Sequence, residues 1–449
     1  MTDSAIPAAV SASYPQRPGN LIRLLIDGEP AFRRICEAID AAQRSVWVTV
    51  TYMWASFEMP DRRGTALDVL RRAAARGLDV RVIFWRPDEA TEHLRRDAFW
   101  GSEEHFQRLE ATGSGIRVRW DRAHPGFAQH QKSWLIDAGE KTEIAFVGGM
   151  NLNPHSVSGP EHQGEHQNHE VSIELCGSST VDVHHNFVQR WNEASERNVS
   201  GGVWGAGSEQ KLPFPAIVPA PRGGAVVQVQ RTVHSGRYTD GHPTPGGSPF
   251  DIRLGERSNL EQYVAAIEAA RRSIHIEHSV VTSAEIVAHL HRAVQRELEI
   301  TLITTADQAI SSELVALARY NNFTLCGIAG VGFDGRRKPI AVQAKLMIVD
   351  DAWFTVGSCN LHAGSLFGSV ELNAACWHSE TARTLRVALL KEHLGQDTTN
   401  LDDRAAAKLL RLIAKKNRQR FDTREDTWQG LAFSLVPPIK FGTDPPSAH

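Results

Sequence analysis

The strongest constraint on the fold is an internal repeat. The segment EAIDAAQRSVWVTVTYM (37–53) has the pattern of a helix that runs into a β-strand, and AAIEAARRSIHIEHSVV (265–281) repeats that pattern closely. Each copy is followed by another helix and another strand, in ALDVLRRAAARGLDVRVIFWRP and in EIVAHLHRAVQRELEITLITTA. Strands that alternate with helices predict a mainly parallel or mixed sheet with both faces covered. The chain is therefore predicted to be a duplicated α/β sandwich.

The repeat also predicts how the chain is divided. Residues 1–198 form the first half and residues 225–400 the second, and a linker rich in glycine and proline joins them at 199–224. The last segment, 401–449, is predicted to hold a basic amphipathic helix and a tail. Two alternatives remain open for this helix: it packs on the core with a solvated basic face, or it lies on an anionic membrane.

Composition excludes several classes of protein. The 449-residue chain has a formal net charge of −3, so no broad cationic surface for nucleic acid is expected. Its five cysteines are scattered and form no CxxC pair, which indicates reduced thiols. The sequence shows no signal peptide and no run of about 18 apolar residues. We therefore predict a cytoplasmic protein without membrane-spanning helices.

A second repeat, of polar residues, carries the candidate chemistry. HQKSWLID in the first half has the spacing H-x-K-x4-D, and QAKLMIVD in the second half repeats it with glutamine in place of histidine. Each is followed by a glycine-containing segment that ends in Asn-Leu, GGMNL and GSCNL. Chance could explain one such match, but it does not readily explain two matches in corresponding halves of the chain. The two sets are His130, Lys132, Asp137 and Asn151, and Gln343, Lys345, Asp350, Ser358 and Asn360.

These motifs resemble the signature of the phospholipase D superfamily, H-x-K-x4-D followed by G-[SG]-x-N. The resemblance extends over most of the chain, since HNFVQRWNE (185–193) and VQVQRT (227–232) also look like features of these enzymes. It implies two phospholipase-D-like halves packed about a pseudo-two-fold axis, with one active site at the seam and no dimer required. The similarity favours the bacterial phospholipase D enzymes over the nuclease branch.

The resemblance implies a phosphodiester reaction that passes through a covalent phosphohistidine. His130 would attack phosphorus, while the histidine of the second motif protonates the leaving oxygen and later activates water or an alcohol. The phosphate would be held by the side chains of Lys132, Lys345, Asn151, Asn360 and Ser358.

The resemblance also assigns roles to four acidic residues. Glu170 and Glu371 are predicted to orient the imidazoles by accepting a hydrogen bond from the other ring nitrogen. The alternative for each is an ordinary glutamate at a strand end or on the surface. Asp137 and Asp350 are predicted to be structural, because the last residue of the motif lies a turn beyond the strand and fixes the loop.

Gln343 departs from the superfamily pattern. An amide cannot donate and recover a proton near neutral pH, so the acid and base steps lose their usual agent. Three accounts remain open: an engineered inactivating change, a natural protein with a changed mechanism, and a natural non-catalytic homologue. The second account requires a substitute acid, for which His278 and His362 are candidates, although an ordinary strand or loop histidine is the simpler interpretation of each.

The histidines of HSVSGPEHQGEHQNHE allow a metal site as an alternative. This segment contains His155, His162, His166 and His169, but no H-E-x-x-H helix and no zinc-finger spacing. A flexible polar loop is the favoured interpretation and a weak metal site the alternative. We predict no metal site and no cofactor.

The predicted function is hydrolysis or alcohol exchange at the head-group phosphodiester of a phospholipid, impaired by Gln343. The partners are then a phospholipid and a water or alcohol acceptor, with peripheral membrane contact left open, no nucleic acid, and a monomeric chain. Trp54 and Trp85 are either core residues or the lining of an apolar slot for acyl chains. The alternatives are an inactive phosphate- or phospholipid-binding homologue, and a phosphatidyltransferase or nuclease of the same superfamily.

Overall fold

The computed structural model describes residues 5–87, 105, 107, 113, 115–195, 210–306, 310–425 and 427–436. The first-half strands are β1 (Arg17–Ile26), β2 (Ser45–Val50), β3 (Asp79–Trp85), β4 (Arg117–Asp121), β5 (Ser133–Ile136), β6 (Ile144–Gly148), β7 (Asn168–His169) and β8 (Val171–Gly177). The others are β9 (Ala225–Val233), β10 (Glu256–Arg257), β11 (Ser273–His278), β12 (Glu299–Ile303), β13 (Phe323–Val331), β14 (Arg337–Pro339), β15 (Ala341–Val342), β16 (Lys345–Val349), β17 (Trp353–Gly357), β18 (Glu371–Trp377) and β19 (Ala432–Ser434). The α-helices are α1 (Gly28–Ala41), α2 (Ala66–Ala75), α3 (Thr180–Asn192), α4 (Ser258–Ala269), α5 (Ala284–Gln295), α6 (Ser312–Leu317), α7 (Ser379–Leu394) and α8 (Asp403–Asp422).

The two halves have the same strand order. In the first half the order across the sheet is β4-β3-β2-β5-β6-β8-β1. In the second half it is β13-β12-β11-β16-β17-β18-β9. The pairs β2–β3, β3–β4, β11–β12 and β12–β13 are parallel, and the other pairs in these two rows are antiparallel. This matching order confirms the predicted duplicated α/β sandwich.

Local sequence explains why the repeated units form. Thr65 caps α2 by accepting from the backbone N–H of Asp68, whose carboxylate accepts in return from the N–H of Thr65. The helix then stops before Gly77, which has a φ of 86°. Every residue of β2 is buried because helices and the other half cover both faces of the sheet.

The halves meet along a continuous seam. β1 pairs with β9 in antiparallel fashion, so that the two sheets are joined at their edges. Among the described residues, three short parallel pairings cross the seam as well: β7 with β15, Gln129 with Val370, and Gln163 with Val331. One apolar core contains residues from both halves, and each half has a further core of its own. The residues that follow the short pairings are therefore held at the interface between the halves.

The end of the chain packs on the second half. α8 buries Ala406, Leu410, Ile413 and Ala414, and β19 pairs with β13. Of the two alternatives for this helix, the structure therefore supports packing on the core. Residues 210–224 form neither helix nor strand, and the division at 199–224 stays a prediction because part of it lies outside the described residues.

None of the helices in the described part of the chain has both the length and the apolar content needed to cross a membrane.

Candidate active site

The two copies of the polar motif face each other across the seam. The backbone N–H of His130 donates to the carbonyl of Val370 at 2.8 Å, and the N–H of Gln343 donates to the carbonyl of His169 at 2.8 Å. Val370 and His169 immediately precede the two glutamates that the sequence singled out. Each motif therefore lies beside the glutamate of the opposite half.

His130 is held in one tautomer by its neighbours. Its Nδ1 lies 2.9 and 3.0 Å from the carboxylate oxygens of Glu371 and 3.1 Å from the carbonyl oxygen of Ser358. Both partners are acceptors, so Nδ1 carries the proton and Nε2 carries the lone pair. Burial lowers the pKa of His130 to about 4, and Lys132 and Lys345 add to this effect against Glu371. The imidazole is thus neutral at neutral pH, and its side chain remains 14% exposed.

Glu371 is buried but ionised. The hydroxyls of Ser358 and Ser365 each donate to it at 2.6 Å. Burial alone would raise its pKa, but His130, Lys132 and the Ser358 hydroxyl outweigh burial and lower it. A carboxylate that is fixed by two hydroxyls gives the ring of His130 a defined orientation.

Two lysines add positive charge beside this pair. The Nζ of Lys132 donates to the carbonyl of His130 at 2.7 Å, and the Nζ of Lys345 donates to the carbonyl of Gln343 and, at 3.3 Å, to its side-chain oxygen. Burial lowers the pKa of Lys345, although Glu170 and Glu371 oppose the effect. Gly149 is required here, since a Cβ would lie 2.9 Å from the Gln343 carbonyl oxygen and from the Cδ of Lys345.

The second half of the site lacks the equivalent pair. Glu170 accepts a hydrogen bond from the hydroxyl of Ser156 at 2.9 Å, but its Oε2 is buried and makes no hydrogen bond with any described residue. Burial raises the pKa of Glu170, against the opposing charges of Lys345 and Lys132. Glu371 has a hydrogen-bonded imidazole partner in His130. Glu170 has none, because glutamine stands at position 343.

The remaining predicted residues lie around the same seam. The side-chain oxygen of Asn360 accepts from the Ser279 hydroxyl at 3.0 Å, whereas that of Asn151 is buried without a hydrogen bond to a described residue. His278 lies opposite Lys345 in the β11–β16 pairing, and both its ring nitrogens are buried without such a partner. Burial, together with Lys345, lowers the pKa values of both His278 and His362.

Asp137 and Asp350 face away from this chemistry. Asp137 accepts hydrogen bonds from the backbone N–H groups of residues 43, 44 and 45 at 2.9, 2.8 and 3.3 Å. Asp350 accepts from those of residues 271, 272 and 273 at 2.8, 2.8 and 2.9 Å. Asp137 thus ties the turn after β5 to the start of β2, and Asp350 ties the turn after β16 to the start of β11.

Removal of one such carboxylate should destabilise the fold. The Asp137→Ala variant is expected to lower the free energy of unfolding by about 1–3 kcal/mol, because three backbone N–H groups, that of buried Ser45 among them, lose their acceptor. Urea denaturation measures the change. Lys141→Ala, at an exposed position in the same turn, is the control and should stay within about 0.5 kcal/mol of the parent protein. Equal changes in the two variants would contradict the structural role.

Comparison with known proteins identifies the family. The family described as "Cardiolipin synthase, PLD-like domain" matches residues 35–191 and 263–391, together more than half of the chain. The chain belongs to the phospholipase D superfamily. The resemblance found in the paired motifs is thereby confirmed at the level of the superfamily.

Several members of the superfamily are similar along most of this phospholipase D-like chain. Cardiolipin synthase B of Salmonella typhimurium is 25% identical over 388 residues, which cover 82% of this chain and 79% of the relative. Phospholipase D A of Dictyostelium discoideum is 23% identical over 493 residues, which cover 85% of this chain but 36% of the relative. The crystal structure of a phosphatidylserine synthase of Haemophilus influenzae superposes with a TM-score of 0.55 at 13% identity, over 90% of this chain and 93% of that chain. The last similarity supports the fold alone.

Two features of this site were not found from the sequence. Ser156 and Ser365, which donate to the two glutamates, each lie five positions after the motif asparagine, so the repeat N-L-x-x-x-S was the available signal. The prediction of a flexible polar loop over 155–170 is wrong in part, because His162 and His169 are buried while His155 and His166 are exposed.

Proposed function

We propose that this chain transfers the phosphatidyl group of a phospholipid to water or an alcohol through a phosphohistidine on His130. The observation that carries the proposal is the buried pair of His130 and Glu371, with a lone pair on Nε2 and two lysines beside it. Because both motif copies belong to one chain, a monomer holds the complete site.

The first step forms a bond between the Nε2 of His130 and phosphorus while the bond from phosphorus to the head-group oxygen breaks. Glu371 stabilises the imidazolium character that develops on the ring. Lys132 and Lys345 offset the negative charge on the phosphoryl oxygens, where an electrostatic contact in a buried site has its largest effect. The departing oxygen needs a proton in this step.

Glu170 is the residue that we propose as the source of this proton. Its raised pKa favours the protonated form, and its Oε2 has no competing hydrogen bond from a described residue. After the head group leaves, the carboxylate can take a proton from water or an alcohol, which attacks phosphorus and frees His130. This assignment gives Gln343 a positioning role only and makes turnover slow.

An apolar wall next to His130 supports a lipid substrate. The half-buried ring of Tyr52 lies 6.5 Å from that of His130 and 5.9 Å from that of half-buried Trp54. Trp85, 5.4 Å from Tyr52, is a buried core residue against which both pack. Aromatic side chains that converge beside a polar reacting group are typical of sites for amphipathic ligands. The names of two relatives, a cardiolipin synthase and a phospholipase D, point to the same class of substrate.

A second candidate function is phospholipid binding without turnover. Gln343 is the observation that favours it, because the two lysines can hold a phosphate even where proton transfer fails. Peripheral contact with a membrane is part of either candidate, since both bind a lipid head group.

The experiment that separates the candidates is a product assay with the full chain. The protein is incubated with short-chain phosphatidylcholine, with phosphatidylglycerol and with a single-stranded oligonucleotide, each in water and in dilute ethanol. We expect head-group release and a phosphatidylethanol product from the phospholipids only, measured by mass spectrometry.

Two results would count against the proposal. Tight phospholipid binding without any product would favour the binding candidate. Cleavage of the oligonucleotide that weakens steeply with salt would favour a nuclease, because contacts to nucleic acid release counterions.

A further inference from the structure

A buried cluster of histidines and carboxylates lies behind the second motif. Asp27 follows β1, His162 and His169 come from the segment before Glu170, and Glu392 lies near the end of α7. The side chains of Asp27, His162 and His169 have no exposed surface, and that of Glu392 is 6% exposed. This cluster takes no part in the proposed reaction.

Four short distances join the histidine nitrogens of the cluster to its carboxylate oxygens. The Nε2 of His162 is 3.0 Å from Glu392 Oε1 and 3.4 Å from Asp27 Oδ2. The Nδ1 of His169 is 2.9 Å from Asp27 Oδ1 and 3.2 Å from Glu392 Oε1. Two nitrogens and two carboxylates thus alternate around a small, buried ring.

Hydrogen bonding alone does not satisfy this ring. Each of the two nitrogens carries at most one hydrogen, so two hydrogens are available for four close contacts. Asp27 Oδ2 is buried and accepts no hydrogen bond from a described residue. Among the described residues, no lysine or arginine pairs with Asp27 or Glu392, and two buried carboxylates therefore depend on imidazoles for their neutralisation.

A single metal ion would satisfy all four groups. Zinc binds imidazole nitrogen and carboxylate oxygen at about 2.0–2.1 Å, and a tetrahedron of that size places neighbouring ligand atoms about 3.3 Å apart. With Asp27 Oδ2 as the ligand atom, the three observed edges of such a tetrahedron are 3.0, 3.2 and 3.4 Å, close to this value. Two carboxylates also neutralise a dication, so the loaded site would carry no net charge.

The residues around the cluster resemble the outer shell of a metal site. The other nitrogen of His169, Nε2, lies 2.8 Å from Glu277, which also contacts His275 at 2.6 Å and His393 at 3.0 Å. A carboxylate on the distal nitrogen of a ligating histidine fixes its tautomer and increases its basicity.

The backbone pairing at His169 does not itself require a histidine. At the matching place across the seam, the residue before Glu371 is the buried, apolar Val370, where His169 precedes Glu170. The same backbone pairing across the seam therefore forms once with an apolar residue and once with the cluster.

We propose that Asp27, His162, His169 and Glu392 bind one zinc ion in a closed, structural site. Four protein ligands leave no open position for substrate, which distinguishes this site from a catalytic one. The ion would fix the segment that delivers Glu170, because the carbonyl of His169 accepts the N–H groups of Gln343 at 2.8 Å and Ala344 at 3.0 Å. The proposal does not depend on the proposed function.

The test is the metal content of the full chain, purified without an affinity tag or chelator. Elemental mass spectrometry should find about one zinc ion per chain. His162→Ala and Asp27→Asn should lower that content at least tenfold, roughly the loss that even outer-shell changes can cause. His166→Ala, an exposed histidine of the same segment, should leave it unchanged.

A second measurement avoids variants that fail to fold. The parent protein is stripped with a chelator and titrated with Co²⁺, which should give the visible absorption of a tetrahedral ion at about one equivalent. Less than about 0.1 metal ion per chain, both as purified and after zinc is added, would overturn the proposal, as would full zinc content in His162→Ala. Neither measurement uses a substrate, so an inactive protein still tests the site.

Discussion

His130→Ala is expected to abolish phosphatidyl transfer, with a loss on the order of 10⁴- to 10⁶-fold, because the reaction then lacks its nucleophile. Intact-mass measurement after incubation with short-chain phosphatidylcholine should show one added phosphatidyl group on the parent protein and none on this variant. The expectation follows from the neutral ring, whose Nδ1–H is directed to Glu371 and whose Nε2 is left with a lone pair.

A histidine outside the site provides the matched control. His155→Ala removes an exposed imidazole from the segment before Glu170 and should retain the adduct and the activity. If the His130→Ala variant still forms an adduct of the same mass, then another residue is the nucleophile and the assignment of His130 is wrong.

Gln343→His is expected to raise the rate of turnover by roughly 10²- to 10⁴-fold, the usual contribution of a positioned general acid and base. The new ring would lie beside Glu170 in the way that His130 lies beside Glu371, since the same backbone hydrogen bond precedes both. It would provide the partner that Glu170 Oε2 lacks. Rates of head-group release at saturating substrate measure the effect.

The Gln343→Asn variant separates this gain from a change of shape. It shortens the side chain without adding a titratable group, so it should not increase the rate. An unchanged or lower rate in Gln343→His would show that proton transfer does not limit this protein, and the slow step would then lie elsewhere. If the parent protein holds the phosphatidyl adduct and Gln343→His releases it, the defect lies in the second half of the reaction.

The sequence was sufficient for the fold because the repeat is local. The helix at 66–75 and the strand at 79–85 follow from apolar periodicity, a capping pair and Gly77, all within a few residues of one another. The H-x-K alternation predicts His130 and Lys132 on one face of a strand, but the strand begins only at Ser133, so both residues lie in the irregular segment before it.

The cross-seam partners could not be predicted in this way. Glu371 reaches His130 across 241 positions, and nothing in the spacing of either motif says that each glutamate belongs to the opposite half. The cluster of Asp27, His162, His169 and Glu392 is still less visible, since its members come from a strand end, an irregular segment and a helix. Only the packing of the two halves brings these groups together.

The pairing of each motif with the glutamate of the other half makes the two copies dependent on each other. Neither half holds a nucleophile together with the acid that orients it. A separated first half would therefore contain His130 without Glu371, and a separated second half would contain Glu371 without His130. A change in one half therefore alters the environment of a group in the other half. Glu170 is an example, because Gln343 of the second half leaves its Oε2 without an imidazole partner. The two copies can diverge in sequence, but a substitution in one copy must remain compatible with the residues of the other.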